Sequence, residues 1–411
     1  MGDIFQTINS CRICKSDEIS EVMNLGSQPP ANSLYEVIKP TSVPLRLIFC
    51  EKCSTVQLGE DVDPEYLFSE YLWITGTSET AIIYSSSFLK KALKYFDSNY
   101  DELFVVEVAS NDGTFLKQFQ QSGCKVLGID PAINIAKIAS QRGIPTQADF
   151  FSKELAENVL VQNGPANLIY ARNVIPHVKE IHSVISGIEA LLSIDGIGII
   201  EFHNAGLLVQ EMHYDYIYHE HLFYYTLTSI EALLKRYGLF IFDVSRSPIS
   251  GGSWVVYFSK YIREKTSDLI NIQNSENEIE YNNKDAWINF AKNAKNHSEE
   301  LTNIVLDQVN NYGKIVAYGA SARSSTLLNY CGINNNHISV VIDKNPLKQG
   351  LMTAGSDIPI VSYHDGLKHI EDSNTILLLA WNFKDEIIQE LRQSGYKGKF
   401  IVPLPGKPHI V

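Results

Sequence analysis

From about residue 100 onward, short apolar runs alternate with helix-like segments. The run LFVVEVA (103–109) is almost continuously apolar up to the turn signal SNDG, which predicts a buried strand, and a helix is expected from about Thr114. Strands that alternate with helices favour an α/β fold with a doubly wound parallel sheet. Further strands are predicted at KVLGID (125–130), which a helix over 132–142 follows, and at NLIYARN (167–173), GIGIIEFHN (196–204), LFIFDVSRS (239–247) and SWVVYFSK (253–260).

A second α/β run follows a polar, mostly helical connector. Within the connector, the Asn-rich stretch near 271–284 is expected to be a surface loop. The predicted division of the chain is 1–75, 76–260, the connector 261–312, and 313–411. The later strands are predicted at KIVAYGA (314–320), HISVVID (337–343), NTILLLAWN (374–382) and KFIVPLP (399–405), and SARSSTLLNY is expected to begin a helix.

Four of the six cysteines fall in two C-x2-C pairs near the N-terminus, CRIC and CEKC. Each pair can direct two thiolates at one ion, and four thiolates suit tetrahedral zinc with no position left for a substrate. The prediction is a structural zinc site; two disulfides or four buried thiols are the alternatives. Cys124 and Cys331 stand in apolar surroundings and are expected in the core. The candidate zinc ligands are Cys11, Cys14, Cys50 and Cys53.

Composition limits the classes of partner. The chain has 411 residues, 45% of them hydrophobic, which suggests a folded protein of two or three domains. A net charge of -13 argues against a general nucleic-acid binder, which needs a basic face. No signal-peptide pattern and no apolar stretch of about 18 residues occurs, so a cytoplasmic protein without membrane contact is expected.

The loop after the first strand has the features of a cofactor site. In EVASNDG, small residues let the backbone approach a ligand, and the next helix offers unpaired N–H groups. Asp130 ends the second strand, where a carboxylate can bind both hydroxyls of a ribose. G-x-G-x-x-G is missing, so a dinucleotide is disfavoured; a turn without a ligand is the other alternative. The loop resembles the first motif of class I S-adenosylmethionine methyltransferases, D/E-x-G-x-x-x-G, with Ala109 in place of the first glycine. The candidate cofactor contacts are Glu107, Ala109, Ser110, Asn111, Gly113, Asp130, Pro131 and Asn173.

Two histidines flank a glutamate in the aromatic stretch YDYIYHEHLFYY (214–225). His219 and His221 have the spacing of metal ligands, but no further ligand cluster accompanies them. The stretch could instead supply acid–base groups, since imidazole titrates near neutral pH, or form a polar seam in an aromatic core. His177, in ARNVIPHV after the third strand, is a candidate because the carboxyl edge of the sheet should host both segments.

The order of several motifs resembles a known family along nearly the whole chain. These motifs are CRIC…CEKC, NLGSQPPANSLY, EVASNDGTFL, GIDPAINIA, RNVIPHV, YIYHEHLFYYTLTSI, GASARSSTLLNY and VIDKNPLKQG. The chain is similar to the sugar C-3 methyltransferases that act on nucleotide-linked 4-keto-6-deoxy sugars, of the kind found in tetronitrose biosynthesis. The resemblance implies an N-terminal zinc-binding module, a central class I methyltransferase domain with a Rossmann-like fold, and a C-terminal α/β domain, with the nucleotide sugar held between the last two.

The resemblance also implies site residues. Catalytic roles pass to Tyr218, Glu220, His221 and His177, and to Tyr71 near the end of the zinc module, although Trp73 stands where an aromatic, often tyrosine, is usual. The chain departs from the family pattern at SGGSWVV (250–256), where H-G-G-S-L-R is common, and at His203, where proline is common. The implied substrate contacts, of which Ser321 and Arg323 match a phosphate-contacting segment, are Ser321, Arg323, Asn329, Asp343 and Lys348.

The expected chemistry is methylation of carbon 3 through an enolate. His221 is the predicted base, Tyr218 and His177 are predicted to donate to the enolate oxygen, and His219 is predicted to be structural. The alternatives are an O- or N-methyltransferase on a nucleotide sugar, a zinc-containing binding protein without catalysis, and a nicotinamide-dependent enzyme using GASAR, which lacks a clear acidic partner. The identity of the nucleotide, thymidine or guanosine diphosphate, stays open, and a monomer is favoured.

Overall fold

The computed structural model describes residues 4–63, 66–67, 75–77, 79–97, 99–248 and 252–411. Its strands are β1 (Phe5–Thr7), β2 (Ile19–Gln28), β3 (Val43–Cys50), β4 (Val56–Leu58), β5 (Glu60–Val62), β6 (Phe104–Val108), β7 (Lys125–Ile129), β8 (Thr146–Gln147), β9 (Ala166–Arg172), β10 (Leu192–His203), β11 (Phe223–Tyr224), β12 (Phe240–Ser247), β13 (Ser253–Ser259), β14 (Ile315–Tyr318), β15 (Ile338–Ile342), β16 (Ile360–Val361), β17 (Thr375–Leu378), β18 (Lys399–Val402) and β19 (His409–Ile410). Its helices are α1 (Glu79–Leu93), α2 (Thr114–Gln121), α3 (Ile133–Gln141), α4 (Lys153–Asn163), α5 (Ile181–Leu191), α6 (Ala205–Gln210), α7 (Leu227–Lys235), α8 (Ser267–Ile279), α9 (Lys284–Tyr312), α10 (Ala322–Tyr330), α11 (Tyr363–Glu371) and α12 (Lys384–Gln393).

The central sheet confirms the strands predicted between residues 103 and 260. Within the described ranges, seven strands follow the order β12-β13-β10-β9-β6-β7-β8. Strands β6 to β10 run parallel, whereas β13 runs antiparallel to both β10 and β12. Strand β6 is buried along its whole length because both faces of the sheet are covered. The strand order reverses direction between β6 and β9, and sheets of this kind bind ligands at the carboxyl ends of such a pair.

The N-terminal module is built on a separate sheet. Its order, counted over the described residues, is β11-β4-β3-β2, and β1 pairs with β5. Strand β11 comes from the aromatic stretch at 214–225, so this sheet joins segments that are far apart in the chain. The pairing of β11 with β4 sets Phe223 opposite Gln57 and Tyr224 opposite Val56.

The C-terminal domain confirms the second predicted α/β run. Its sheet has the order β16-β15-β14-β17-β18-β19 in the described part of the chain, and β19 alone of these runs antiparallel to its neighbour. The order reverses direction between β14 and β17, as it does in the central sheet. Helix α10 begins directly after β14, with Ser321 as its cap: the Ser321 hydroxyl accepts from the N–H of Ser324 at 3.2 Å.

The connector is helical, and the surface loop predicted near 271–284 is wrong. Helix α8 covers most of that stretch, and the break before α9 is limited to 280–283. Thr266 caps α8 by accepting from the N–H of Leu269, and Leu269 itself is buried. The asparagines lie on a helix with little buried surface, so their polarity indicated exposure rather than irregular structure. None of the helices in the described ranges is long and apolar enough to cross a membrane.

The largest apolar core joins the three parts of the molecule. It contains Leu47 of the N-terminal module, Ile200 of the central sheet and Ala317 of the C-terminal sheet. A second cluster on the other face of the central sheet packs α1 against β6 and β9. Cys124 and Cys331 are both buried, as predicted. A continuous core of this kind can fix side chains from different parts at one site.

Candidate active site and metal centre

Four cysteine sulfurs meet in the N-terminal module. All four Sγ atoms lie within 4.8 Å of one another, with 3.6 Å between Cys11 and Cys53 and 3.4 Å between Cys14 and Cys50. A tetrahedron with zinc–sulfur bonds of about 2.3 Å has edges of about 3.8 Å, close to these separations. A disulfide would need about 2.05 Å, so the disulfide alternative is excluded. Gln57 Nε2 also donates to Cys11 Sγ at 3.2 Å, as expected for a thiolate ligand. The residues therefore fit a closed structural zinc site.

The second candidate metal site has no such support. Among the described residues, the four cysteines are the one group of at least three His, Cys, Asp or Glu side chains close enough to share an ion. His219 is buried, and its Nε2 lies 3.2 Å from the carbonyl oxygens of both Val43 and Pro44. It therefore anchors the aromatic stretch to β3 of the N-terminal module.

The loop after β6 has an unusual backbone. The φ angles are 55° at Ala109, 50° at Asn111 and 76° at Gly113, all in the left-handed region. The left-handed conformation costs a residue with a Cβ about 1–2 kcal/mol, so glycine suits position 109. Ala109 adopts the same turn despite this cost. The N–H of Asn111 donates to Asp130 Oδ2 at 2.8 Å, so the second strand's carboxylate holds the loop in place.

Polar groups around this loop fit a bound ligand. The hydroxyl of Ser110 is buried and has no hydrogen-bond partner in the described part of the chain. Asp130 Oδ1 accepts from the N–H of Ala132 at 2.9 Å, across Pro131. Beneath the loop, burial raises the pKa of Glu107 to about 8, and the Tyr170 hydroxyl donates to its carboxyl at 3.0 Å. These groups can hold a nucleoside with a charged tail.

Two exposed apolar side chains at the same edge were missed from the sequence. Ile133 is 75% exposed and Phe150 is 70% exposed, although both are large and apolar. They follow the carboxyl ends of β7 and β8, which pair side by side. Strand β8 has two residues, too few for a periodic pattern. The available signal was an apolar residue within four positions after each strand, and Ile133 lies three positions after Asp130.

Two histidines meet at the carboxyl edge of the central sheet. Asn173, with φ at 52°, directly follows β9 and donates its N–H to the carbonyl of Glu201 at 2.8 Å. The turn that follows carries His177, whose ring centroid lies 4.7 Å from that of His221. The aromatic stretch and the third strand therefore converge, as the sequence predicted. Tyr71 and Trp73 lie outside the described residues.

Hydrogen bonds fix the tautomers of both rings. His221 Nδ1 lies 2.9 Å from the carbonyl oxygen of Tyr216, and His177 Nδ1 lies 2.7 Å from that of Glu220. A carbonyl can only accept, so each Nδ1 carries the hydrogen and each Nε2 holds a lone pair. The hydroxyl of Tyr218 donates to His221 Nε2 at 2.9 Å. A neutral His177 in this tautomer cannot donate from Nε2, which changes the role predicted for it.

Burial keeps these groups uncharged. It lowers the pKa of His177, and together with the neighbouring His177 it lowers the pKa of His221 well below the usual value. Burial raises the pKa of Tyr218 well above its usual value. At neutral pH the His221 imidazole is therefore uncharged, with an Nε2 lone pair that accepts from Tyr218, and an uncharged imidazole is the state that a general base requires.

Glu220 lies beside the histidines and points to the N-terminal module. Its Oε1 accepts from Asn32 Nδ2 at 2.7 Å, across 188 positions of sequence. Burial raises the pKa of Glu220 to about 7. The sequence did not predict Asn32 as a site residue, because its segment PPANSLY carries no local pattern that indicates a role. Glu220 does not contact the His221 ring through any recorded bond between described residues; its backbone carbonyl orients His177 instead.

An ion pair joins the aromatic stretch to the C-terminal domain. Arg323 Nη2 lies 2.9 Å from Asp215 Oδ2, and Trp381 Nε1 donates to the same oxygen at 2.9 Å. The guanidinium carbon also lies 4.2 Å from the ring centroid of Tyr216. Arg323 therefore contacts Tyr216, which lies two positions before Tyr218 in the sequence, and this brings one predicted substrate contact to the aromatic stretch.

The other predicted substrate contacts divide into two places. Asp343 accepts from the N–H of Ala320 at 2.7 Å, and Lys348 donates to the carbonyl of Ala320 at 2.7 Å. Both lie beside the turn that ends in Ser321, so this turn does have an acidic partner, contrary to the sequence expectation. Asn329 lies at the other end of α10 and donates to the carbonyl of Ala354 at 2.9 Å.

Comparison with known proteins matches three domain families. Residues 11–68 match a zinc binding domain, 84–243 a methyltransferase domain, and 248–405 the C-methyltransferase C-terminal domain. C-methyltransferase NovU of Streptomyces niveus is 31% identical over 423 residues, covering 100% of this chain and 99% of the relative.

Similar solved structures cover less than half of the chain. Magnesium protoporphyrin IX methyltransferase of Synechocystis PCC 6803 with bound S-adenosylmethionine has 16% identity and a TM-score of 0.34, covering 44% of this chain and 80% of the other. An S-adenosylmethionine-dependent methyltransferase of Anabaena variabilis has 18% identity and a TM-score of 0.34, covering 44% and 86%. Scores this low add nothing to the assignment.

The full-length similarity and the three domain matches agree with the geometry. The methyltransferase-domain match and the cysteine cluster confirm the predicted cofactors, S-adenosylmethionine and zinc. The domain matches also confirm the predicted architecture of a zinc-binding module, a central methyltransferase domain and a C-terminal α/β domain. The chain therefore belongs to the C-methyltransferase family.

Proposed function

We propose that the chain methylates carbon 3 of a nucleotide-linked 4-keto-6-deoxy sugar, a step in the biosynthesis of branched deoxysugars. The observation that carries the proposal is the neutral His221 ring, whose Nε2 lone pair is held by Tyr218 at the ligand-binding edge of the sheet. Such a group can remove a carbon-bound proton made acidic by an adjacent ketone. The name of the relative from Streptomyces niveus, a C-methyltransferase, supports transfer to carbon.

The loop after β6 would hold the methyl donor. Asp130 would bind the ribose hydroxyls, Ser110 and the loop N–H groups would contact the amino-acid end, and Ile133 and Phe150 would cover the adenine faces. Exposed apolar side chains at a cofactor edge support this arrangement, since they gain burial when a base covers them. When bound, S-adenosylmethionine supplies an electrophilic methyl group. Asn173, Glu107 and the left-handed turn complete the proposed contacts.

His221 and Tyr218 would act as a pair during proton removal. The keto oxygen at carbon 4 of the bound sugar first takes over the hydrogen bond of the Tyr218 hydroxyl, which frees the single Nε2 lone pair of His221. The proton on carbon 3 then passes to that lone pair, and the electron pair of the broken C–H bond moves toward the keto oxygen, where Tyr218 donates to the forming enolate. One such donor in a dry site contributes about 3 kcal/mol. Carbon 3 then takes the methyl group and the ketone re-forms.

His177 and Glu220 would position the sugar. The Nε2 lone pair of His177 can accept from a sugar hydroxyl, since its Nδ1–H is already used by the Glu220 carbonyl. The Glu220 carboxylate, oriented by Asn32, can accept from another. Tyr71 is part of the proposal through the family resemblance.

The C-terminal domain would bind the nucleotide diphosphate. Ser321 at the N-terminus of α10 and the cation Arg323 suit phosphate oxygens, and Asp343 suits ribose hydroxyls. Lys348, beside Ala320, adds a second cation. Asn329 is the weakest of the proposed contacts because its side-chain amide already donates to the carbonyl of Ala354.

The organisation of the molecule is the remaining part of the proposal. The domain limits are 1–75, 76–260, 261–312 and 313–411, and the protein acts as a cytoplasmic monomer without nucleic-acid partners. Four cysteines gathered at one site without a disulfide between them support a reducing compartment.

Exchange with solvent deuterium tests the reaction. Wild-type protein is incubated in D2O with nucleotide-linked 4-keto-6-deoxy sugars and S-adenosylhomocysteine, and proton NMR should show loss of the carbon 3 signal without methyl transfer. His221→Ala should abolish both exchange and methylation while calorimetry shows S-adenosylhomocysteine binding nearly unchanged. Exchange-free methylation at oxygen or nitrogen would overturn the proposal, and failure to bind S-adenosylhomocysteine would point to a protein without catalysis.

A further inference from the structure

His203 lies at the carboxyl end of β10, one aromatic ring away from His221. Its ring stacks on Tyr216 with centroids 4.0 Å apart and planes at 20°. Tyr216 is in turn 5.9 Å from His221, with planes at 17°. Because β10 runs parallel to β9, the end of β10 also lies beside the segment that carries His177. His203 therefore belongs to the same edge of the sheet as the catalytic cluster.

One nitrogen of His203 has an unmet hydrogen-bonding capacity. Its Nε2 is buried and has no hydrogen-bond partner among the residues that the structure describes. A buried polar atom without a partner carries its full desolvation cost. A phenylalanine could make the same stack on Tyr216 without that cost, so stacking alone does not account for an imidazole here. A bound ligand that reached the nitrogen would remove the cost.

The charge state of His203 indicates what kind of group it can bind. The charged or titratable groups around it are the stacked Tyr216, His213 with ring centroids 6.5 Å apart, His221 and Arg323. Asp215 is engaged by Arg323 and Trp381. Burial, the neighbouring His213 and Arg323 all lower the pKa of His203 well below its usual value. A neutral imidazole suits a hydroxyl, which can both donate and accept, better than it suits a phosphate.

We propose that His203 hydrogen-bonds a ring hydroxyl of the sugar and so determines which sugars are accepted. The inference rests on the proposed function, because it takes a nucleotide sugar to be the substrate. His203 is then a specificity residue, while the proton transfer remains with His221.

Paired substrates and paired variants test this role. His203→Phe keeps an aromatic ring on Tyr216 and loses both nitrogens, whereas His203→Gln keeps a polar group of similar reach. Nucleotide-linked 4-keto-6-deoxy sugars that carry or lack a given ring hydroxyl are compared by kcat/KM. For the hydroxylated sugar, His203→Phe should lose roughly tenfold or more, and His203→Gln should recover part of the loss. For the matched sugar that lacks the contacted hydroxyl, kcat/KM of both variants should equal that of the wild type.

Controls separate the possible causes of a loss. S-adenosylhomocysteine affinity should be unchanged in both variants, and His369→Phe on the exposed face of α11 should match the wild type throughout. Equal losses on every sugar pair, or no loss at all, would overturn the role of His203 while leaving the proposed function intact. A wild type that methylates no nucleotide sugar would overturn the proposed function itself. If His203→Phe does not fold, the His203→Gln comparison decides the question.

Discussion

Glu220 combines a shifted pKa with a position beside His177 and His221. Burial raises its pKa to about 7, whereas burial and His177 lower the pKa of His221 below the usual 6.5. The two groups therefore lose their protons in separate pH ranges, His221 first as pH rises. In the proposed function the Glu220 carboxylate accepts from Asn32 and from a substrate hydroxyl, so we expect activity to increase as Glu220 loses its proton.

The pH dependence of kcat/KM should separate the two groups. Wild type should rise through about pH 7, while Glu220→Gln should lack that rise and keep one acid limb below pH 6.5. The variant should lose roughly tenfold to a hundredfold in kcat/KM at pH 8, as expected for a charged hydrogen bond. A variant that kept the rise near pH 7 would assign it to another group.

Gly113 ends the loop after β6 in a left-handed conformation, which is unfavourable for residues with a side chain. Its φ is 76°, and a Cβ there would lie 2.9 Å from the Ile144 side chain. Gly113→Ala should weaken S-adenosylhomocysteine binding about tenfold, because the left-handed penalty of about 1–2 kcal/mol falls on the loop that we propose to bind the cofactor. Gly143→Ala is a matched control, with φ at 81° and no atom within 4 Å of the added Cβ. Calorimetry should show lost affinity in the first variant and unchanged affinity in the second.

At the scale of elements, β11 ties the aromatic stretch at 214–225 to the zinc-binding module. Strand β11 begins two residues after His221 and pairs with β4, while His219 bonds the carbonyls that begin β3. The chain on both sides of His221 is therefore held by the module that contains the four cysteines. Zinc bound by such a site contributes directly to folding.

Removal of zinc should consequently reduce the rate of methyl transfer more than the affinity for the cofactor. Protein stripped of zinc by a strong chelator should lose methyl transfer and unfold at a lower temperature. Its dissociation constant for S-adenosylhomocysteine should stay within a fewfold of that of the zinc-bound protein, because the loop proposed to bind the cofactor is held between β6 and β7. Cys14→Ser should behave alike, whereas Cys124→Ala, in the core away from the cluster, should keep its zinc. Full activity in verified zinc-free protein would contradict this coupling.

The same scale shows how much local pattern predicts. Continuous apolar runs ending at turn signals located β6, β9 and β14, because a strand buried on both faces needs apolar residues throughout. The loop prediction near 271–284 was wrong because the exposed asparagines of α8 have the composition of a loop. The helix is stabilised instead by the capping Thr266 and the buried Leu269. Two-residue strands such as β8 and β11 carry no period at all.

For the whole molecule, the contact of Asp215 with Arg323 and Trp381 joins the central and C-terminal domains. Asp215 is 1% exposed and Arg323 is 15% exposed, so the pair is largely shielded from water. Asp215→Asn leaves the guanidinium without a counter-charge, and losing one partner of a buried pair costs about 3–5 kcal/mol.

Denaturant unfolding should therefore show Asp215→Asn destabilised by about 3 kcal/mol, with a raised KM for the nucleotide sugar. Glu157→Gln, whose partner Lys153 is equally exposed at 3.8 Å, should change stability by less than about 1 kcal/mol. Equal effects of the two substitutions would mean that the domain contact is no stronger than a surface ion pair.

The sequence by itself determined the cysteine cluster, the turn after β6, most strands and the segments that carry His177 and His221. Each of these depends on residues close together in the chain, where spacing, apolar runs and turn chemistry act directly. Tertiary structure alone decided that Asn32 meets Glu220 across 188 positions and that Arg323 meets Asp215 across 108. It also decided which nitrogen of His177 and His221 carries the hydrogen, because carbonyls supplied by the folded backbone occupy Nδ1. Such contacts depend on how distant surfaces pack, and no local pattern records that packing.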